Sequence, residues 1–268
     1  MIRKRVYKEK DLQNKLVAFV DILGFKHLIT QEKSKAIKSL NDIDSSIQHI
    51  LWILKEQHQK TFSTKLFSDC ICISCDDTLE NVFYIIYELS YIQYSLSLEG
   101  IYVRGGLSFG DHFENNRIIF SNGLVKAYEL EQTAHYPRII IDSELIIRIF
   151  EDDENYFPYY CGFKKRDFII ESPDGHFSID YLHMLYEEGF EQLEELKFHK
   201  EALITNLMAN YNNQKIVDKY RWLAEYHNNR FNEIFASEEY EEEYVKSVNE
   251  SIYINIETTF PSFKKVMQ

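Results

Sequence analysis

A buried strand that ends on a single carboxylate is the feature that most constrains the fold of this chain. Residues 17–25 read VAFVDILGF, so an apolar run is followed by Asp21 and then by a short turn that contains Gly24. A run that is apolar on both faces is typical of a strand in the interior of a sheet. Asp21 is therefore predicted at the exit of a rigid element. It either caps the next helix or faces whatever the turn holds.

The turn itself has the chemistry of an anion site. The backbone amides of Leu23, Gly24 and Phe25 fall at the predicted start of the following helix. Unpaired N–H groups and the positive end of a helix dipole together favour a phosphate group.

A second carboxylate is predicted at the tip of a β-hairpin. Two short apolar runs, residues 64–67 and 70–75, are separated only by Ser68 and Asp69, which is the pattern of a two-residue hairpin loop. If the hairpin neighbours the strand before Asp21, both carboxylates meet at one edge of the sheet. Mg²⁺ is typically held by one or two carboxylates plus substrate phosphates, and two such ions can activate a hydroxyl group and neutralise a pyrophosphate leaving group. The residues therefore predict a nucleotidyl-transfer site, a pattern that polymerase palm domains share.

The apolar periodicity of the rest of the chain predicts an α+β sandwich, with helices on one face of a mainly antiparallel sheet. Helices are expected from Ile37 to Leu54, from Leu79 to Ile92 and over residues 121–134, and strands over residues 101–110 and 139–141. We expect residues 1–150 to form the catalytic domain.

The C-terminal part, residues 151–268, is predicted to be an extension that packs on the catalytic domain. A turn at residues 172–175 has the composition of a hairpin loop, and the pattern becomes helical again from about residue 190. Two helices with a short polar connection predict an αα-hairpin there.

The composition argues against several classes of protein. The net charge is −13, with 43 acidic against 30 basic residues, which disfavours a nucleic-acid partner. No apolar stretch approaches the ~20 residues of a membrane span, and no apolar signal region follows the basic start, so we expect a cytoplasmic protein without a membrane partner. Cys70, Cys72 and Cys75 share one predicted strand and Cys161 stands apart, so we expect reduced thiols rather than disulfides or a zinc site.

Three short blocks follow one another in a familiar order. They are residues 19–25 (FVDILGF), 65–69 (KLFSD) and 103–110 (VRGGLSFG). In order and separation these blocks resemble class III nucleotidyl cyclase domains over about residues 15–150. The chain is more closely similar to the pyrimidine cyclases of the Pycsar antiphage systems. That closer likeness is carried by residues 121–131 (SNGLVKAYELE), 136–142 (YPRIIID), 180–182 (DYL) and 219–223 (KYRWL).

The resemblance implies a ferredoxin-like palm fold and assigns roles to particular residues. Asp21 and Asp69 would be the catalytic residues that hold two Mn²⁺ or Mg²⁺ ions, with the carbonyl of Ile22 as a further ligand. The amides of residues 23–25 (Leu23, Gly24 and Phe25) would bind the triphosphate. Lys65 falls where purine cyclases place a base-contacting lysine, although an ordinary exposed strand residue is an equal alternative.

The chain also departs from the purine cyclases. Their helical Asn and Arg fall here at Val125 and Glu129, and their base-contacting Asp falls at Ile118. The base pocket is therefore not that of a purine cyclase, and another cation must meet the transition-state charge. Arg104, also a candidate substrate-binding residue, and Arg138 could do so from a partner subunit, unless either is a structural ion-pair residue.

The function implied by the resemblance is conversion of UTP or CTP to the 3′,5′-cyclic monophosphate with release of pyrophosphate. The product would be a second messenger in bacterial antiphage defence and would act through a cyclic-nucleotide-responsive effector. The resemblance also implies a head-to-tail homodimer with a shared active site. The alternatives are a purine cyclase or other palm-type nucleotidyltransferase, and an inactive nucleotide-binding sensor of the same fold.

Overall fold

One mixed sheet forms the centre of the molecule. The computed structural model describes residues 7–31, 62–151, 155–157, 164–184 and 194–235, together with separate positions between 34 and 48. Within these described residues the sheet has eight strands in the order β2-β3-β1-β4-β6-β8-β7, with β5 paired to β4. The strands are β1 (Gln13–Ile22), β2 (Ser63–Phe67), β3 (Cys70–Asp76), β4 (Val103–Glu114), β5 (Ile119–Ser121), β6 (Ile139–Ile141), β7 (Ile169–Glu171) and β8 (Phe177–Ile179).

The first four strands have the arrangement of a ferredoxin-like βαββαβ unit. Helix α1 (Phe25–Gln31) follows β1, and helix α2 (Leu79–Leu98) connects β3 to β4. β1 lies between β3 and β4 and is antiparallel to both, while β2 is antiparallel to β3. This strand order places the ends of β1 and of the β2–β3 hairpin side by side. The predicted α+β palm architecture is confirmed.

The two faces of β1 are covered by different helices. Leu16, Ala18 and Val20 lie in the main hydrophobic core with the buried side of α2. The alternate face carries Phe19, which packs edge-on against Tyr128 of helix α3 (Asn122–Thr133), with ring centroids 5.5 Å apart. α3 therefore lies on the opposite face from α2. The prediction that all helices share one face is wrong, because β1 is apolar on both sides and its sequence does not show which helix covers which side.

Helix α3 lies unusually close to the sheet. A side chain at Gly106 on β4 would collide with the backbone carbonyl of Ala127 in α3, and one at Gly123 would press on Val17 of β1. The two glycines therefore allow the backbones to approach directly, which fixes α3 over the end of β1.

The described segments after residue 150 contribute strands and core residues to the same sheet and core. β8 pairs with β6, and β7 pairs with β8, so the predicted hairpin is confirmed. Helix α4 (Ser143–Ile149) follows β6 and contributes Leu145 and Ile149 to the main core. Helices α5 (Glu194–Ala209) and α6 (Gln214–Phe235) form the predicted αα-hairpin.

A buried polar network attaches this helical hairpin to the sheet. The Tyr226 hydroxyl of α6 donates to the carboxylate of Asp180, which is fully buried, and accepts from the amide of Leu182 at 3.0 Å. Arg230 Nε lies 2.9 Å from the second Asp180 oxygen. His199 and His227 are also fully buried and face each other, with their Nδ1 atoms 2.9 Å apart. Charge pairing and hydrogen bonds therefore supplement apolar packing at this junction.

Some sequence predictions are only partly tested. Ile37 and Leu40 were expected to cover the sheet, but their side chains are 58% and 50% exposed. The rest of that apolar pattern, up to Leu54, lies outside the described residues, as does Cys161. Cys70, Cys72 and Cys75 are free thiols, as predicted. Among the described residues, no helix is both long enough and apolar enough to cross a membrane.

Candidate functional site

The two predicted carboxylates lie together at the end of β1. Asp21 stands directly opposite Cys70 of β3, and Asp69 occupies the two-residue turn that precedes Cys70. The amide of Ile22 donates to the carbonyl of Asp69 at 2.8 Å, which ties the hairpin tip to the end of β1. One ligand atom from each of Asp21, Asp69 and Cys70 lies within 4.8 Å of the others. The backbone thus brings the two carboxylates among the predicted metal ligands to one point, along with a thiol that was not predicted.

The donor set at this point fits a divalent cation. Two partly exposed carboxylates converge, and hard cations such as Mg²⁺ and Mn²⁺ prefer oxygen ligands. Burial, followed by the nearby Asp69 and Asp21 carboxylates, raises the pKa of the Cys70 thiol to about 12. A thiol is also a poorer donor than a carboxylate for these hard cations, so the two aspartates are the ligands that such an ion would prefer.

The adjoining turn differs in one respect from the prediction. The amide of Leu23 donates to the carbonyl of Tyr102 at 2.9 Å, so it is not an open donor for a phosphate, and that expectation is wrong. Gly24 has a φ of +76°, and nothing would lie within 4 Å of a side chain placed there. In the described part of the chain, no turn or cap hydrogen bond involves the amides of Gly24 or Phe25. These two amides remain as candidate phosphate donors.

A buried acid from α3 lies above the two carboxylates. Glu131 is 1% exposed and forms an ion pair with Arg104, which stands opposite Asp21 on β4. Arg104 Nη2 also lies 3.8 Å from Asp21 Oδ2. Burial, and next the Glu131 carboxylate, raise the pKa of Asp21 above its usual value, against the opposing charge of Arg104. An ionised Asp21 therefore lacks full compensation by this chain's own cations, which is the condition that favours binding of a metal ion.

Arg138 does not reach this site. Its guanidinium is 2% exposed and is clamped on Asp174 in the β7–β8 turn, with Nη1 3.1 Å from Oδ1. Arg138 is thus a structural ion-pair residue, and the suggestion that it meets transition-state charge is wrong. Arg104 lies beside Asp21 of its own chain, so it has no need to reach across from a partner.

Lys65 lies apart from the carboxylate pair of its own chain. Lys65 pairs with Cys72 on β3, and Cys72 pairs with Phe19 on β1. Lys65 is therefore level with Phe19, two residues before Asp21 along β1. Its ammonium nitrogen lies 3.1 Å from a Glu114 oxygen and donates to the Asn115 carbonyl at 3.0 Å. Hydrogen bonding, first from His112, lowers the pKa of Glu114 to about 2. Lys65 is therefore a paired residue within one chain.

The three positions that depart from the purine cyclases lie on one exposed segment. Ile118 and Val125 are 48% and 54% exposed, and Glu129 is also exposed on α3. None of these residues contacts Asp21 through an observed hydrogen bond or ion pair within the described ranges.

Lys219 of α6 is a further residue at the site that was not predicted, in addition to Cys70 and Glu131. It is half-buried beside the Asp21 cluster, where burial, and next the charge of Arg104, lower its pKa while Asp21 and Glu131 oppose that change. It also lines a cavity of about 470 Å³ with Leu23, Gly24 and Tyr102. The segment 219–223 stood out in the sequence, but nothing local indicated that α6 returns to the end of β1.

Comparisons with known proteins give matches in structure alone. No family model and no curated protein matches the sequence. A solved bacterial light-regulated adenylyl cyclase has a TM-score of 0.40 and 18% identity, and the match covers 51% of this chain and 79% of that one. An adenylate/guanylate cyclase/hydrolase from Silicibacter pomeroyi has a TM-score of 0.38 and 15% identity over 63% of this chain and 95% of that one.

A third solved structure is described as a class III adenylyl cyclase-like ATP-binding protein from Pseudomonas aeruginosa. Its TM-score is 0.36 with 10% identity, over 49% of this chain and 34% of that one. All of these TM-scores are below 0.5. The fold assignment therefore rests on the strand order and pairing of this chain itself.

Proposed function

We propose that this chain is a metal-dependent nucleotide cyclase, which converts a nucleoside triphosphate to its 3′,5′-cyclic monophosphate and pyrophosphate. The observation that carries the proposal is the convergence of Asp21 and Asp69 at the open end of β1, beside a glycine turn and two cations. The same fold and carboxylate pair would also serve other nucleotidyl transfers, such as those of polymerases. A cyclase, however, needs no polynucleotide substrate, and the net charge of −13 disfavours binding of a polynucleotide.

The proposed reaction is an in-line displacement within one nucleotide. A bond forms between the ribose 3′ oxygen and the α-phosphorus, and the bond from the α-phosphorus to the bridging oxygen of the β-phosphate breaks. Pyrophosphate leaves with that oxygen, and the 3′ hydroxyl proton is released to water. Bound Mn²⁺ or Mg²⁺ would supply Lewis acidity at these oxygens. Asp21 and Asp69 would hold two such ions with the Ile22 carbonyl, Gly24 and Phe25 would donate amides to the phosphates, and Arg104 would offset their charge.

We further propose that the base is a pyrimidine and that the product is a second messenger in antiphage defence, acting through a separate effector. Ile118 supports the base assignment, because it replaces the base-contacting Asp of the purine cyclases, and Val125 and Glu129 further depart from the Asn and Arg that those enzymes carry at these positions. The motif likeness to the Pycsar cyclases supports the biological role.

A head-to-tail homodimer with a shared site belongs to the same proposal. The β5–α3 segment exposes four large apolar side chains, which a second copy could cover: Ile118, Phe120, Val125 and Tyr128, at 48%, 67%, 54% and 48% exposure. Exposed apolar surface of this kind is typical of association sites. Lys65 could then complete the partner's site.

The test is to incubate the purified full chain with each of the four ribonucleoside triphosphates and Mn²⁺, and to separate the products. We expect cyclic UMP or cyclic CMP, with kcat/KM for that pyrimidine at least ~10-fold above ATP and GTP, since a site built for one base edge leaves buried polar groups unpaired with another. A preference for ATP or GTP would contradict the pyrimidine assignment alone. Tight binding of nucleotide without any product would favour the inactive sensor.

A further inference from the structure

The cavity between the glycine turn and the helical hairpin has walls from distant parts of the chain. Leu23 and Gly24 line it from the turn after β1 and Tyr102 from the residue before β4, while Asn206, Asn210 and Lys219 line it from α5, the α5–α6 connection and α6. The cavity therefore borders both the turn next to Asp21 and the C-terminal helical hairpin. A ligand held at the turn would meet α6 on its other side.

We propose that Lys219 binds the triphosphate of the substrate, so that the C-terminal helical hairpin forms one wall of the nucleotide site. This inference rests on the proposed function, since it assigns a further binding residue to the same site. It does not depend on which base the site accepts.

The contacts of Lys219 distinguish it from the neighbouring cations. Arg104 is paired with Glu131, Arg138 with Asp174 and Lys65 with Glu114. Lys219 differs, because no carboxylate oxygen of the described residues lies within 4.0 Å of its ammonium nitrogen, the distance of an ion pair. Asp21 and Glu131 are nevertheless near enough for their charges to raise its pKa against the effect of burial. Burial already lowers its pKa, so an anionic partner would be favoured by both charge and desolvation.

The charge balance of the cluster points to the same role. Asp21, Asp69 and Glu131 supply three carboxylates against the two cations Arg104 and Lys219. That excess of negative charge repels a polyphosphate, and it would be larger by one charge without Lys219. Lys219 therefore lowers the barrier to anion entry, whether or not metal ions are already bound.

Two polar neighbours of Lys219 in the cavity wall already donate hydrogen bonds within the protein. Asn206 donates its side-chain amide to the Gly100 carbonyl at 2.8 Å, and Asn210 donates its own to the Asn206 carbonyl at 2.9 Å. The first bond fixes the helical hairpin to the segment before β4, and the second lies within the hairpin itself. Among the described residues that line this cavity, Lys219 is the one with a charged side chain, so it is the candidate for contact with an anionic ligand.

The experiment compares Lys219→Ala with Lys215→Ala, which removes the same charge from an exposed position one turn earlier on α6. Titration calorimetry in Mg²⁺ would measure the Kd of inorganic tripolyphosphate, of a non-cyclisable 3′-deoxynucleoside triphosphate and of the matching nucleoside monophosphate. We expect Lys219→Ala to weaken the first two by about 10- to 100-fold, on the scale of a hydrogen bond to a charged group, and the monophosphate by less than about 2-fold. Lys215→Ala should change none of them by more than about 2-fold.

Unchanged polyphosphate affinity in Lys219→Ala would overturn the inference, as would equal losses in both variants or no polyphosphate binding by the unaltered protein. Lys219→Met keeps the length of the side chain and serves if the alanine variant is less stable, and matching melting temperatures are required in each comparison. The proposed function fails separately: if Lys219 is needed for polyphosphate binding but no triphosphate yields a cyclic product, this inference stands and the cyclase assignment does not.

Discussion

The end of β1 and the helical hairpin α5–α6 meet at one site, but different interactions hold them in position. At the end of β1, strand pairing sets Asp21 opposite Cys70 and Arg104, so the backbone itself aligns the chemical groups. The helical hairpin is held instead by side chains, above all by Tyr226 on the buried Asp180. The difference indicates that residues at the strand ends can be changed without loss of the fold, whereas α6 depends on its buried polar partners both for its position and for that of Lys219.

The largest effect should follow from changes at the strand end. Asp21→Ala or Asp69→Ala should reduce cyclase activity by at least ~10³-fold, the scale of removing a positioned catalytic group, with little change in melting temperature. Asp111→Ala, an exposed aspartate on β4, is the matched control and should be active. More than a tenth of the original activity in either site variant would rule out their roles as metal ligands.

A change at the junction should instead affect stability. Tyr226→Phe removes the hydroxyl that bonds Asp180 and the Leu182 amide, and leaves both groups buried with a partner lost. We expect the free energy of unfolding to fall by about 2–3 kcal/mol, as measured by urea denaturation, with a parallel loss of tripolyphosphate affinity. Tyr211→Phe alters an exposed ring in the α5–α6 connection and should be neutral. If Tyr226→Phe left both quantities unchanged, the contrast between the two regions would not hold.

The smallest effect concerns a buried acid in the core below the sheet. Burial raises the pKa of Glu88 on α2 to about 8, so the folded chain keeps a proton there that the unfolded chain loses near pH 4.5. The folded state binds more protons between these values, and its stability therefore falls as pH rises through that window. Glu88→Gln should remove this fall. The gain in free energy of unfolding of the variant over the unaltered protein should therefore be roughly 1–2 kcal/mol larger at pH 8 than at pH 6.

Denaturation of Glu88→Gln at the two pH values tests this, with the exposed Glu225→Gln as control. Catalytic activity should not change, because Glu88 lies in the core rather than at the strand end. An equal gain at pH 6 and pH 8 would mean that the side chain is not titrating between them.

Much of the strand end was predictable, because its signals are local. The apolar run before Asp21 and the two-residue loop at Asp69 each specify a backbone shape, and antiparallel pairing then brings the two together. Leu23 shows the limit of that reasoning, since its amide is used by Tyr102, a residue that local sequence does not place nearby. The side of the sheet taken by α3 was mispredicted for the same reason.

The contribution of the helical hairpin could not be predicted in this way. Helical periodicity gave the existence of α5 and α6, but the docking angle that brings Lys219 to Asp21 depends on buried polar contacts between distant segments. Glu131 was hidden too, since a charged residue on a helix is more often solvated than buried. A sequence pattern reports which face of an element is apolar, not which partner meets it.

Because Lys219 and Tyr226 are far apart along α6, a small rotation of the helix about Tyr226 would displace Lys219 appreciably. Seven residues at about 1.5 Å each place the cation about 10 Å from the point where the helix is fastened. A rotation of about 10° about that point would carry Lys219 by about 2 Å, whereas a misplacement of about 1 Å can cost a catalytic group ~100-fold in rate. The hydrogen bond between Tyr226 and Asp180 thus limits how far Lys219 can move relative to Asp21. We therefore expect moderate warming to lower the turnover of the Tyr226→Phe protein at temperatures well below its melting temperature.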